Sequence, residues 1–170
     1  MVAILNILLK QAKVTAMKIY LVQHGEAVAK EVDPERPLTE QGMTDVQCVA
    51  RALKHAGVKV KRVIHSGKLR AQQTAKILAT EIAPMLQLET SDLINPNDNP
   101  GTFDFQTASG GMDTMVVGHL PFMAKMVSHL VIGDDKHMLV AYQPGSVVCL
   151  ELIEKDNWQI NWMIRPELLG

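Results

Sequence analysis

The chain has 170 residues, 47% of them hydrophobic and 21% charged, with a formal net charge of −1. That length and balance suit one well-packed globular domain. The near-neutral charge gives no sign of a nucleic-acid or polyanion surface, so any phosphate site must be built locally from a few cations. The two cysteines, Cys48 and Cys149, lack CxxC or zinc spacing and read as buried free thiols, in keeping with a reducing cytoplasm.

Residues 1–16 read as an N-terminal extension ahead of a domain spanning 17–170. The apolar run at 2–9 is shorter than the ~20 residues of a membrane span, and it lacks the basic start and cleavage site of a signal peptide. A short helix there would pack Ile4, Leu5 and Leu8 on the body or on a neighbour. From Met17 an apolar run reads as a strand buried on both faces. It stops at Gln23, His24 and Gly25. Ligands of open α/β sheets bind beyond the carboxyl ends of strands, and a glycine lets the backbone approach a bound group.

A polar loop with Pro34 and Pro37 follows. Thr39 is placed to cap a helix running to about residue 56, with Met43, Val46, Ala50 and Leu53 on its apolar face and Gly57 as its stop. A second strand covers 60–65. The turn Ser66-Gly67 leads into a helix over 68–79 that carries Leu69, Ala75 and Leu78 inward. Residues 84–111 are the least regular, with a short strand around Leu86 and Leu88 and then the Asn-, Pro- and Gly-rich loop 95–101. A third strand, 114–117, again ends in Gly-His, and Pro121 fits the first turn of a helix running to about residue 131. The runs 147–152 and 158–164 predict an antiparallel hairpin at one side of the sheet. In the second run Trp158, Ile160, Trp162 and Ile164 alternate with Gln159, Asn161 and Met163. Strands alternating with helices make the fold class α/β.

Three strand ends thus point to one sheet edge: His24, His65-Ser66 and His119. Arg70 lies one turn into the helix after the second strand, within reach of that edge. An imidazole can attack phosphorus and hold the group covalently. A second imidazole and a guanidinium can neutralise the phosphoryl oxygens, and helix N-termini at Gly25 and Gly67 would add N–H donors.

Four segments carry a family resemblance: LVQHGEA at 21–27, RPLTEQG at 36–42, SGKLRAQQTA at 66–75 and VVGHLPF at 116–122. In these the chain resembles the histidine phosphatase superfamily, the phosphoglycerate-mutase-like proteins, and within it the short SixA-type phosphohistidine phosphatases. The resemblance implies a three-layer α/β/α fold with a mostly parallel central sheet and a C-terminal antiparallel hairpin. It implies that His24 is the nucleophile that becomes phosphorylated, that Arg70 binds the phosphate, and that His119 is the second pocket histidine. Gln23, Gly25, Arg36, Ser66 and Lys68 would then contact the substrate, with Arg36 at the rim. Glu26 would support the turn, and Asp92 and Asp98 are the general-acid candidates in the loop before the third core strand.

Gln23 stands where the family has arginine. It keeps an amide donor but lacks the charge and the guanidinium fork, so Lys18, Arg36 or Lys68 would have to compensate, Lys68 being nearest the pocket-side turn. Gly67 stands where the family often has proline. The expected activity is a cytoplasmic phosphatase acting on phosphohistidine of a signalling or phosphotransfer protein through a phosphoenzyme at His24. Releasing imidazole makes a strong acid less necessary, which favours that substrate over an ester. A small-metabolite phosphomonoesterase is one alternative. The other, motivated by Gln23, is a phospho-binding module with little turnover. No metal, cofactor, nucleic-acid or membrane partner is expected, and the oligomeric state is not legible.

Overall fold

In a computed structural model residues 17–170 are described. Strands β1 (Lys18–Gln23), β2 (Arg62–His65), β3 (Leu88–Thr90), β4 (Thr114–Gly118), β5 (Val147–Glu154) and β6 (Asn157–Ile164) form one sheet in the order β3-β2-β4-β1-β5-β6. The pairs β1–β4, β2–β4 and β2–β3 are parallel, whereas β5 runs antiparallel to both β1 and β6. Helices α1 (Glu40–His55), α2 (Leu69–Ile82), α3 (Phe105–Ser109) and α4 (Phe122–Ile132) cover its two faces. The result is the expected three-layer α/β/α arrangement with a C-terminal antiparallel hairpin.

The layers follow from the period-2 alternation of the central strands. Tyr20 and Val22 of β1 pack with Val46, Val49, Leu53 and Leu78 of α1 and α2. Ile19 and Leu21 turn the other way, onto Phe122, Met123 and Met126 of α4. A strand covered on both sides must be apolar throughout, which is why β1 reads as a continuous hydrophobic run. Ile19, Leu21 and Val22 are fully buried, each such side chain contributing about 1.5–3 kcal/mol.

Helix α1 begins as expected, with Thr39 Oγ1 accepting from the Gly42 N–H at 2.9 Å, and it ends before Gly57, whose φ is +73°. Its inward face differs from the expected one. Met43 is 37% exposed and Val49 fully buried, because the stripe runs through 46, 49, 50 and 53. Helix α2 extends past residue 79 to Ile82, stopped by Pro84 (which pushes Ala83 out of the helical region), and Leu69 in its first turn is only half-buried. In the irregular segment α3 and a 3-10 turn at Pro100–Thr102 were not anticipated. Phe103 and Phe105, ring centroids 4.6 Å apart edge to face, pack this segment onto the α4 side.

The strict alternation expected for the last strand does not survive. A register shift between Cys149 and Leu150 sets Trp162 opposite Cys149 and Ile160 opposite Leu150, so Asn161 is the extra residue of a bulge. The phase inverts there: Trp158 and Met163 join the α4 side, and Trp162 and Ile164 the α1–α2 side. Cys149 is buried as expected, but Cys48 is half-buried on α1, with Arg51 Nη2 3.4 Å from its sulfur. Among the described residues no helix is long and apolar enough to cross a membrane. The helix expected within residues 1–16 lies outside the described residues.

Candidate active site

Parallel pairing brings the ends of β1 and β4 side by side. Gln23 stands opposite Gly118, and the His24 N–H donates to the Gly118 carbonyl at 3.0 Å. The next residues on each strand, His24 and His119, therefore meet, their ring centroids 4.9 Å apart. The loop before β5 holds the same strand end from the other side. Gln23 N–H donates to Ser146 O, and Gly145 N–H is shared between the carbonyls of Gln23 and His24.

His24 Nδ1 lies 2.6 Å from the carbonyl of Gly25. A carbonyl only accepts, so Nδ1 carries the hydrogen and Nε2 presents its lone pair. Arg70 Nε donates to that Nε2 at 3.2 Å. Burial, with smaller contributions from Arg70 and Arg36, outweighs the Gly25 carbonyl and brings the His24 pKa down to about 4. The imidazole is therefore neutral and nucleophilic near pH 7. His119 is buried, and desolvation, followed by the neighbouring His24, Arg70, Lys68 and Arg36, lowers its pKa to about 3. Its Nε2 lies 2.5 Å from Ser66 Oγ, while its Nδ1 is buried without a partner.

Gly25 and Gly67 do not supply free donors as expected. Gly25 precedes a loop rather than a helix, and its N–H donates to Thr74 Oγ1 at 3.0 Å. The Gly67 N–H donates to His65 Nδ1 at 3.0 Å, which gives the third strand-end histidine a structural partner. Gly67 has φ +77°, a conformation closed to proline and open to glycine, so the turn before α2 takes a form that proline at this position could not. Thr74, which the sequence reading did not single out, is fully buried and also donates to the Arg70 carbonyl at 2.7 Å. One hydroxyl thus ties the loop after His24 to the helix that carries Arg70. Its spacing of four from Arg70 was the available signal, since i and i+4 share a helix face.

The remaining sequence candidates separate by position. Arg36, half-buried with φ +52°, donates from Nε to the Val28 carbonyl, and its charge acts on His24, Arg70 and His119. Lys68 is exposed at the start of α2, and its charge acts on His119. Lys18 does not compensate for Gln23: it opens β1, at the opposite end of the strand, where its N–H is bonded to Asp113. Glu26 accepts from the Thr39 hydroxyl at 2.9 Å and its carbonyl from the Thr39 N–H, clamping the loop to the start of α1. The Asp98 carboxylate accepts from Asn95 N–H at 2.6 Å within its own loop, and Asp92 is exposed. Among the described residues no group of three or more His, Cys, Asp or Glu is placed to hold a metal ion.

Known proteins resemble this chain in sequence and in fold. The profile described as histidine phosphatase superfamily (branch 1) matches residues 19–95, the stretch holding Gln23, His24, Arg36 and Arg70. Phosphohistidine phosphatase SixA of Escherichia coli K12 is 28% identical over 159 residues, covering 88% of this chain and 94% of that protein. An uncharacterised protein of Picosynechococcus is 30% identical over 139 residues, covering 77% and 83%. A solved structure of SixA complexed with tungstate superposes with a TM-score of 0.81 at 25% identity, over 91% of this chain and 100% of that one. The chain belongs to the histidine phosphatase superfamily and has its phosphoglycerate-mutase-like α/β fold. Its activity class is accordingly that of a phosphatase, a hydrolase.

Proposed function

We propose that the protein removes the phosphoryl group from phosphohistidine on a signalling or phosphotransfer protein in the cytoplasm, through a phosphoenzyme at His24. The observation that carries this reading is the His24 Nε2 lone pair, freed by the Nδ1–Gly25 hydrogen bond and facing Arg70. The lone pair attacks phosphorus, and the P–N bond to the substrate imidazole breaks with its electron pair leaving on that imidazole, which takes a proton from solvent. Water then attacks the phosphoenzyme, the P–Nε2 bond breaks, and its electrons return to His24. Arg70 turns from the lone pair to the phosphoryl oxygens, where a charge-assisted bond is strongest. Arg36 and Lys68 act from the rim.

The SixA relatives support the substrate class by name. So does the Asp98 carboxylate, held within its own loop: imidazole leaves with less help from an acid than an alkoxide does. The test is a comparison of a phosphohistidine protein with phosphoserine peptide and sugar phosphate. Preferential turnover of the first, with an acid-labile label absent from His24→Ala, is the expected result. Equal or better turnover of the esters would move the assignment to a phosphomonoesterase, and full labelling of His24→Ala would remove His24 as the acceptor. A second reading, a phospho-binding module with little turnover, rests on Gln23. Tight phosphate binding without any phosphoenzyme in a single-turnover experiment would establish it.

A further inference from the structure

Among the described residues, two buried side-chain polar atoms have no hydrogen-bond partner, Gln23 Oε1 and His119 Nδ1. Buried polar atoms are almost always paired. These two sit at adjacent strand ends, since Gln23 is in register with Gly118 and His119 comes next, so the gap in the network lies at the candidate site. The atoms ask for different partners. An amide oxygen only accepts, whereas a neutral imidazole nitrogen donates or accepts according to its tautomer. The Ser66 hydroxyl can donate to His119 Nε2 across their 2.5 Å contact, which leaves the hydrogen on Nδ1. A fully ionised phosphoryl group offers acceptors alone. It suits His119 Nδ1–H but sets its lone pairs against those of Gln23 Oε1. A singly protonated group supplies both an acceptor and a donor.

We propose that this pocket takes the phosphoryl group as its singly protonated monoanion, with P–OH donating to Gln23 Oε1 and a phosphoryl oxygen accepting from His119 Nδ1–H. The inference rests on the phosphatase reading and specifies the ionic form that site selects. The surrounding charges agree. The titratable groups on the segments that form the site are His24 at the end of β1, Glu26 and Arg36 in the following loop, His65 at the end of β2, Lys68 just before α2 and Arg70 on it, and His119 after β4. His24 and His119, with pKa values lowered to about 4 and about 3, are neutral near pH 7, and burial lowers that of His65. The Glu26 carboxylate is bonded to Thr39. Arg70 is then the cation in contact with His24, with Arg36 and Lys68 outside it. An arginine at position 23, a donor only, would welcome the dianion; the glutamine carbonyl discriminates against it.

The experiment uses methylphosphonate and sulfate as competitive inhibitors of the protein from about pH 6 to about 8.5, a range across which methylphosphonate loses its one P–OH proton. Sulfate carries no proton there. Methylphosphonate inhibition is expected to weaken by about tenfold per pH unit above that ionisation, and sulfate to bind at least about tenfold more weakly than methylphosphonate at the acid end. Gln23→Arg should flatten the profile and bring sulfate level with methylphosphonate. Gln23→Met, of similar size and without a polar acceptor, should lose the discrimination without adding charge, and serves if the arginine does not fit. Methylphosphonate binding that holds level or strengthens with rising pH in the unaltered protein, or sulfate binding as well as methylphosphonate, overturns the proposal. Acid-labile labelling at His24 on the same samples separates the two levels. Labelling kept with a flat profile removes only the protonation inference, while no labelling and no methylphosphonate binding at any pH removes both.

Discussion

Arg70 is the residue on which the site's electrostatics turn, because its guanidinium reaches the nucleophile candidate directly at 3.2 Å. A hydrogen bond to a charged group is worth about 1.5–3 kcal/mol, so Arg70→Met should weaken phosphate binding by roughly ten- to a hundredfold or more. Calorimetric titration with phosphate or tungstate measures it, and an unchanged affinity would move the anion away from Arg70. At the same scale, the depressed His24 pKa means that this proposed nucleophile stays unprotonated well below neutrality. The rate of phosphoenzyme formation should hold between about pH 7 and about pH 5, then fall as the imidazole protonates near pH 4; a decline centred on the ordinary histidine range would contradict the burial argument. His24, Arg70 and His119 were legible as motif residues because each carries its chemistry in its side-chain type. Thr74 was not. A threonine in a helical pattern is common, and only the fold places its hydroxyl between Gly25 and Arg70.

At the scale of elements, the site depends on how closely α1 and α2 approach the loop after β1. A Cβ on Gly42 would stand 2.2 Å from the Glu26 carbonyl oxygen, so that glycine permits the contact. On the α2 side, Thr74 joins the same loop through two hydrogen bonds. Thr74→Val keeps the shape but leaves the buried Gly25 N–H without an acceptor, which should cost about 1–3 kcal/mol and slow phosphoenzyme formation, while Thr74→Ser restores both. Urea denaturation midpoints beside labelling rates test it; a stable valine variant with full activity would show that Thr74 does not hold the loop. The caps and stops of α1 could be read directly from Thr39 and Gly57, since capping is local chemistry. Its buried stripe could not be settled that way: Met43 and Val49 both fit a helical apolar face, and the contact with β1 and α2 selected Val49.

For the whole molecule, the strand-end imidazoles set a cost on acid conditions. His24 and His119 have folded pKa values of about 4 and about 3 against 6.5 unfolded, and burial lowers His65 as well. As pH falls below about 6.5 the unfolded chain binds protons that the folded one refuses, so stability is fully present above that value and is lost progressively down through about pH 3. The urea midpoint should drop between about pH 7 and about pH 4.5, and replacing His119 with asparagine should reduce the drop. An equal drop in that variant would place the acid sensitivity elsewhere.

The main strands and long helices, the alternating α/β class, the strand-end histidines and the family resemblance were determined by the sequence itself, because strand and helix periodicity, caps and motif residues are expressed over a few neighbouring positions. The tertiary structure alone decided the rest. Sheet order β3-β2-β4-β1-β5-β6 depends on pairings between residues far apart in the chain, such as Ile19 with Thr114 and Lys18 with Glu151, and the bulge at Asn161 that sends Trp158 and Trp162 to opposite faces exists only against β5. The same holds for Gln23. Its identity could be compared with arginine from the sequence, but the unpaired state of its carbonyl beside His119 depends on the packing of two strand ends that only folding brings together.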